Sequence, residues 1–337
     1  MDRKTGVFVL GLAATIALAA GLGAMLGDEP STAPAEVPVL ELPLAAPLDA
    51  PEAELSGLAW WHDQLVLLPQ EPAQVGGTLY AISRDALEAA IDRPGGAPLE
   101  ARPIELVGPP LDPGEFDGYE AIAFDDDDVW IAAELLGDRA VGPVGRLYRG
   151  RVEGDLERIV MDAEGVTLAP QTALGNTAYE TLVRQGDRLI AIYETNGEVN
   201  PAPHALAFGR DLSRVGELTV APIEYRITDA TEVDGAGRFW VANYHWPGAP
   251  WSPGTCQITE RYGEGESHAR CRTVERLLEL RLEGAAVEPT DRPPILLELV
   301  DDAHPRNWEG IVRLGDRGFL LVTDEHPRTI LAFVPMP

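Results

Sequence analysis

Cysteine and histidine are scarce: two Cys and six His occur in 337 residues. That excludes a disulfide-dense scaffold and a paired-cysteine metal motif. Basic residues are also few, with 26 Lys and Arg against 55 Asp and Glu and a formal net charge of −29. A field of that sign repels phosphate backbones and anionic lipid surfaces and concentrates cations, which argues against nucleic acid as a partner. No glycine-rich nucleotide loop and no serine-centred nucleophile elbow occurs, since Gly21, Gly23 and Gly27 sit in an apolar N-terminal stretch. Long helical patterns are missing too, while 34 Gly and 29 Pro supply many turns.

What the chain has instead is a repeated phrase. Tyr119-Glu-Ala-Ile-Ala-Phe leads through the turn at residues 125–128 to Val129-Trp-Ile-Ala-Ala-Glu134. The same pattern runs from Leu55-Ser-Gly-Leu-Ala-Trp to Gln70, from Tyr179-Glu-Thr-Leu-Val to Glu194, from Thr231-Glu-Val-Asp-Gly to Tyr244, and from Trp308-Glu-Gly-Ile-Val to Asp324. An apolar run, a Gly/Asp turn and a second apolar run ending on a polar residue is the signature of a β-hairpin. Each of the first four phrases is followed by two further strand-like runs, and the last by one, Thr329-Ile-Leu-Ala-Phe-Val. Four-stranded sheets repeated about an axis are propeller blades. The expectation is therefore an all-β chain, a five-bladed β-propeller whose last blade is completed by the N-terminal strand at residues 37–42. A six-bladed ring with one diverged blade is the alternative.

Ahead of the ring, Arg3 and Lys4 precede an uncharged stretch to residue 27, about the length of a bilayer-crossing helix. Small residues at Ala19, Ala20 and Ala24 also suit signal-peptidase cleavage, so a signal anchor and a cleaved signal both remain open. Either way residues 37–337 are expected to be exported, anchored and facing the periplasm or exterior, or secreted. Residues 28–36 read as a linker. In that oxidising setting Cys256 and Cys271, 15 positions apart in one long loop, are expected to pair.

In a blade the innermost strand starts at the channel mouth, and the antiparallel second strand ends on the same face. Two polar rings are thereby predicted, an inner one of Ser56, Glu120, Glu180, Glu232 and Glu309, and an outer one of Gln70, Glu134, Glu194, Tyr244 and Asp324. Like charges in a partly desolvated site raise one another's pKa, and a cation relieves the conflict. An all-oxygen donor set suits a hard cation such as calcium. The competing reading has each glutamate accept backbone N–H bonds from the next blade and staple the ring. Around this face, Arg306, His326, Arg328 and His245 are candidate contacts for a small anionic substrate, with Trp246 as a stacking surface. Glu134, Glu194 and Asp324 are candidate general bases.

Ser56-Gly-Leu-Ala-Trp near the start and Trp308-Glu-Gly-Ile-Val with Gly318-Phe-Leu-Leu-Val-Thr-Asp-Glu-His-Pro-Arg near the end resemble phrases of the phytase-like, esterase-like propeller proteins. The serine-plus-glutamate ring is similar to that of the calcium-activated nucleotidases (apyrases), five-bladed propellers with calcium on the axis. The resemblance implies axial calcium at Ser56, Glu120, Glu180, Glu232 and Glu309, with Glu232 where the apyrases carry a serine. It also implies a calcium-dependent phosphoester hydrolase, and the chain is expected to be a monomer. Two alternatives stand beside that: a non-catalytic, calcium-stabilised module binding a protein or glycan of the envelope, and a carboxylesterase or lactonase.

Overall fold

The computed structural model describes residues 33–137 and 143–337. The expectations for residues 1–27 fall outside the described residues. Among the described residues no helix is long and apolar enough to cross a membrane.

The chain is all-β, as its hairpin periodicity requires. Unit one runs antiparallel through Leu55–Trp61, Gln64–Pro69, Thr78–Ser83 and Arg102–Val107. Unit two follows with Phe116–Asp125, Asp128–Leu135, Val144–Glu153 and Arg158–Met161. Unit three consists of Thr181–Gln185, Arg188–Ile192, His204–Gly209 and Arg214–Val220. Arg226–Ala230, Arg238–His245, Val274–Glu283 and Ala286–Pro289 make unit four. Trp308–Leu314, Gly318–Thr323 and Leu331–Pro335 make the last sheet, and Leu40–Leu42 adds its fourth strand.

The N-terminal segment expected as a single strand is split. Glu36–Val37 pairs with Ile295–Leu297, which lies against the start of the third strand of unit four, before Leu40–Leu42 crosses to the last sheet. Residues far apart in sequence are thereby tied together. A short helix spans Arg84–Asp92, with the Ser83 hydroxyl accepting from the Ala86 N–H as its N-cap.

The first hairpin of each unit turns on a left-handed residue: His62 (φ 50°), Asp126 (φ 51°), Gly186 (φ 59°), Gly237 (φ 78°) and Gly315 (φ 54°). The aspartates beside the second of these turns do more than turn the chain. Asp125 pairs with Arg184 and Arg210, and Asp128 with Arg149 and Arg210, which ties unit two to unit three.

The first strands of the units lie side by side in cyclic order: one against two, two against three, three against four, four against five, and five against one. Apolar layers fill the gaps between neighbouring sheets, for example Leu58, Leu65, Leu320 and Phe333 between the last and the first, and Val183, Ile190, Val241 and Leu280 between the third and fourth. Sheets covered on both faces explain why a first strand such as Leu55–Trp61 is buried along its whole length rather than at alternate residues.

Unit four overturns one expectation. Its first strand is Arg226–Ala230, so Glu232 does not open that strand but lies beyond its end. The reason is chemical: the true strand carries Thr228 where its counterparts carry glutamate or serine, and the glutamate signature draws the eye four residues too far.

Closure of the ring leaves no space at Gly310. A Cβ there would sit 2.5 Å from a Val322 methyl and 3.1 Å from both the Leu58 backbone nitrogen and its Cγ. Gly310→Ala is expected to lower stability by about 1–3 kcal/mol. Urea unfolding measures it, and an unchanged midpoint refutes this account of the unit-five to unit-one contact.

Candidate functional site

Strand pairing slips by one residue near the start of four of the first strands, between Leu55 and Gly57, Tyr119 and Ala121, Ile227 and Asp229, and Trp308 and Gly310. A bulged residue is released from the ladder and its side chain is re-aimed. The released residues are Ser56, Glu120, Thr228 and Glu309. Glu180, just before Thr181–Gln185, is the unit-three counterpart. All five are buried or nearly so, with Glu120, Glu180 and Glu309 at 7%, 6% and 7% exposure.

The second-strand residues return to the same end. Glu134 stands opposite Gly118 and Tyr244 opposite Arg226, while Glu194 follows the strand Arg188–Ile192. Six carboxylates therefore meet: Glu120, Glu134, Glu180, Glu194, Glu309 and Asp324. Burial pushes Glu120 well above the usual carboxylate range, and the charges of Glu134, Glu309, Glu194 and Asp324 add to that. Glu180 is raised by burial and then by Glu194 and Glu309, and Glu309 by burial and Asp324. Burial, with Glu194 and Asp117, pushes Glu134 up to about 8.

Arg226 is the basic side chain placed among them. It pairs with Glu194 and lies 3.9 Å from Glu180 Oε1, and these acids hold its proton tightly despite burial. One guanidinium is set against six carboxyls, and burial with mutual repulsion favours their protonated forms unless a cation meets them. Two acceptor oxygens, Glu134 Oε1 and Glu180 Oε2, are buried without any hydrogen-bond partner. Orphaned oxygens of this kind are costly unless a proton or a cation meets them. Among the described residues, no three His, Cys, Asp or Glu side chains are arranged so that they could hold one metal ion.

Directly below the carboxylates the ring is stapled by small polar side chains. Ser56 Oγ donates to the Tyr119 carbonyl, Thr181 Oγ1 to that of Ile227, and Thr228 Oγ1 to that of Trp308. Asp229 Oδ2 accepts from the Ile311 N–H at 2.8 Å, and burial keeps its carboxyl protonated well above the ordinary range. The stapling role foreseen for the glutamates thus falls to hydroxyls and to Asp229.

Several predicted residues lie elsewhere. Glu232 lines a separate cavity of about 300 Å³ with Trp60, Phe124 and Arg184, beyond the far ends of the first strands. Burial raises its pKa, opposed by Arg84 and Arg184, with no influence from the six acids. Arg306 is buried and engaged: its N–H and Nε donate to Glu275 at 3.0 and 2.8 Å. Arg328 pairs with Glu41. His326 is exposed beside Trp246, with ring centroids 6.3 Å apart, and its backbone N–H donates to Asp324 Oδ1 at 3.2 Å. His245 is buried, and burial with nearby Arg226 and Arg272 lowers its pKa to about 4.

The expected disulfide is not formed. Both cysteines are free; Cys256 is buried with its Sγ accepting from Arg276 Nη2 at 3.2 Å, while Cys271 is partly exposed. Residues absent from the sequence-level site but present here are Arg226, Thr228 and Asp229.

No family model matches the chain, and no curated protein does. Solved structures similar to it include a crystal structure of glucose dehydrogenase, at 14% identity over 86% of this chain and 99% of that one, TM-score 0.48. The soluble aldose sugar dehydrogenase of Escherichia coli, apo-form, matches at 12% identity over 86% and 98%, TM-score 0.47. An alpha-L-arabinanase of Cellvibrio cellulosa complexed with arabinohexaose matches at 9% identity over 84% and 91%, TM-score 0.42.

Raised carboxyl pKa values fix the sign of the pH dependence. A group that titrates higher folded than unfolded stabilises the fold fully below its ordinary value, near 4.5, and loses that contribution as pH rises toward about 8. In EDTA, the thermal midpoint is expected to fall across that window, and Glu134→Gln to flatten the upper part of the slope. A midpoint that rises with pH there would contradict the cluster's electrostatics.

Proposed function

We propose that the five units are the blades of one propeller, and that the acidic end of its channel holds calcium in an exported phosphoester hydrolase. The observation that carries this reading is the meeting of six carboxyls and one arginine around unpartnered buried oxygens. Desolvated like charges at this density need a counter-ion, and a donor set made of oxygens alone favours a hard cation with about six to eight ligands.

Glu120, Glu180 and Glu309 would hold the ion from the first strands, with the hydroxyls of Ser56 and Thr228 completing the ring directly or through water. When bound, calcium supplies Lewis-acid polarisation of a phosphoryl oxygen. The chain's own residues do the rest. Glu134, titrating near neutrality, is suited to take a proton from an attacking water. Glu194 is less suited, because its pairing with Arg226 and the Ala178 N–H fixes it in place, although burial still raises its carboxyl above the ordinary range. Asp324, next to the exposed His326, borders the approach to the mouth. Export follows from the reading of residues 1–27 as an anchor or signal, and the phytase-like and apyrase-like phrases support the phosphoester class.

One observation favours a second reading, a calcium-stabilised binding module. With Arg306 committed to Glu275 and Arg328 to Glu41, few free cations remain at the mouth to hold an anionic substrate.

Calcium at about 100 times its Kd is expected to add about 2.7 kcal/mol of stability at neutral pH. The joint variant Glu180→Gln and Glu309→Gln should lose that response; equal melting curves with calcium and EDTA would sink the metal. A panel of phosphoesters, nucleotides and carboxyl esters, assayed with and without calcium, then separates enzyme from module. Calcium-dependent phosphoester turnover abolished by Glu134→Gln supports the hydrolase, and absence of turnover across the panel supports the module.

A further inference from the structure

The long excursion between the second and third strands of unit four encloses a cavity of about 390 Å³. Tyr225, His245, Trp251, Arg272 and Arg276 are among the residues lining it. Its charge is unlike that of the rest of the molecule. In a chain of net charge −29, the wall carries Arg272 and Arg276 against the single carboxylate Glu264.

Arg276 is the unusual member. It is 2% exposed, and its three bonds go to neutral acceptors: Asn243 Oδ1 at 2.8 Å, Thr259 Oγ1 at 3.2 Å and Cys256 Sγ at 3.2 Å. Among the described residues no carboxylate pairs with it. A buried guanidinium without a counter-charge is costly. Of its five N–H groups these bonds use three, leaving one on each of Nη1 and Nη2 to meet an oxyanion.

Two further observations point to a ligand. His245, 7% exposed, has an Nδ1 with no hydrogen-bond partner. Tyr225, its ring 5.0 Å from the Arg276 guanidinium carbon and 5.2 Å from the His245 ring, holds a left-handed backbone at φ 79°. Strain of that kind in a non-glycine residue persists where the surroundings over-determine it, and it concentrates at binding sites. Opposite, the partly exposed Trp251 offers a flat surface whose other neighbour is Arg226, at 4.9 Å.

We propose that this cavity is a binding site for a small organic oxyanion, with its phosphate or carboxylate group on Arg276 and Arg272 and a planar body against Trp251 and Tyr225. The proposal does not rest on the channel-mouth cation or on the hydrolase reading, and the two sites adjoin through Arg226, which pairs with Glu194 and lies over Trp251. Cys256 is the competing partner for Arg276: burial alone would raise its thiol, but Arg276 and Thr259 hold it below its ordinary value.

The test is calorimetric titration of the full-length protein with inorganic phosphate, phenyl phosphate and benzoate, in EDTA, at an ionic strength fixed with chloride. Saturable one-to-one binding with Kd on the order of 1 mM or tighter is expected for at least one of the two aromatic anions, each judged against inorganic phosphate. Arg276→Lys should weaken that binding about tenfold or more. Because Arg276 is buried and its replacement also perturbs folding, two variants at more accessible positions accompany it. Trp251→Ala is expected to erase the preference for the aromatic anion over inorganic phosphate, and Arg272→Gln to weaken all anions. No saturable binding by the wild type, or binding unchanged in both Arg272→Gln and Trp251→Ala, overturns the proposal. So does thiolate absorbance from Cys256 at neutral pH without anion binding, which would give the counter-charge to sulfur.

Discussion

Mutual repulsion among buried carboxylates is the constraint on which the molecule's architecture bears. Glu120, Glu180 and Glu309 come from three separate sheets, and Glu134, Glu194 and Asp324 join them at the same end. Such groups would separate if the chain allowed it. They are held together because the first strands stand in a closed circle, with apolar layers between the sheets that resist any opening. The scaffold therefore supplies the energy that the cluster costs, and a cation or shared protons must return part of it.

The local devices are consistent with that division of labour. One-residue bulges lift Glu120 and Glu309 out of the ladder toward the other acids, while at the same step Ser56 and Thr228, and one residue further on Thr181 and Asp229, bind neighbouring strands. Clustered acids and structural staples thus sit at the same or adjacent positions of the first strands. Arg226 moderates the field without cancelling it. It pairs with Glu194, whose carboxyl burial still raises, while burial with Glu194 and Asp117 pushes Glu134 up to about 8.

Much of this was legible in the sequence, because hairpins write their periodicity locally. The strand-turn-strand phrases, the helix after Ser83 and the contribution of the N-terminal strand to the last sheet all follow from short-range pattern. So do the mouth residues of four units, each six positions before a left-handed turn residue: 56 to 62, 120 to 126, 180 to 186 and 309 to 315. Glu232 stands five before Gly237 and breaks that step, a signal that was available and outweighed by the glutamate itself. What the sequence did not disclose depends on long-range packing. Arg306 looks like a free loop cation until Glu275, 31 positions earlier, is folded against it. The two cysteines look like a pair until Arg276 engages one of them and leaves the other at the surface.

The account is tested most directly by the metal content of the protein itself. Elemental analysis of the full-length chain, equilibrated with calcium and then dialysed against metal-free buffer, should find calcium retained at the mouth. The joint Glu180→Gln and Glu309→Gln variant should release it. Retention of the same calcium by that variant, or none in the wild type, would contradict the assignment of these carboxylates as the site of a cation.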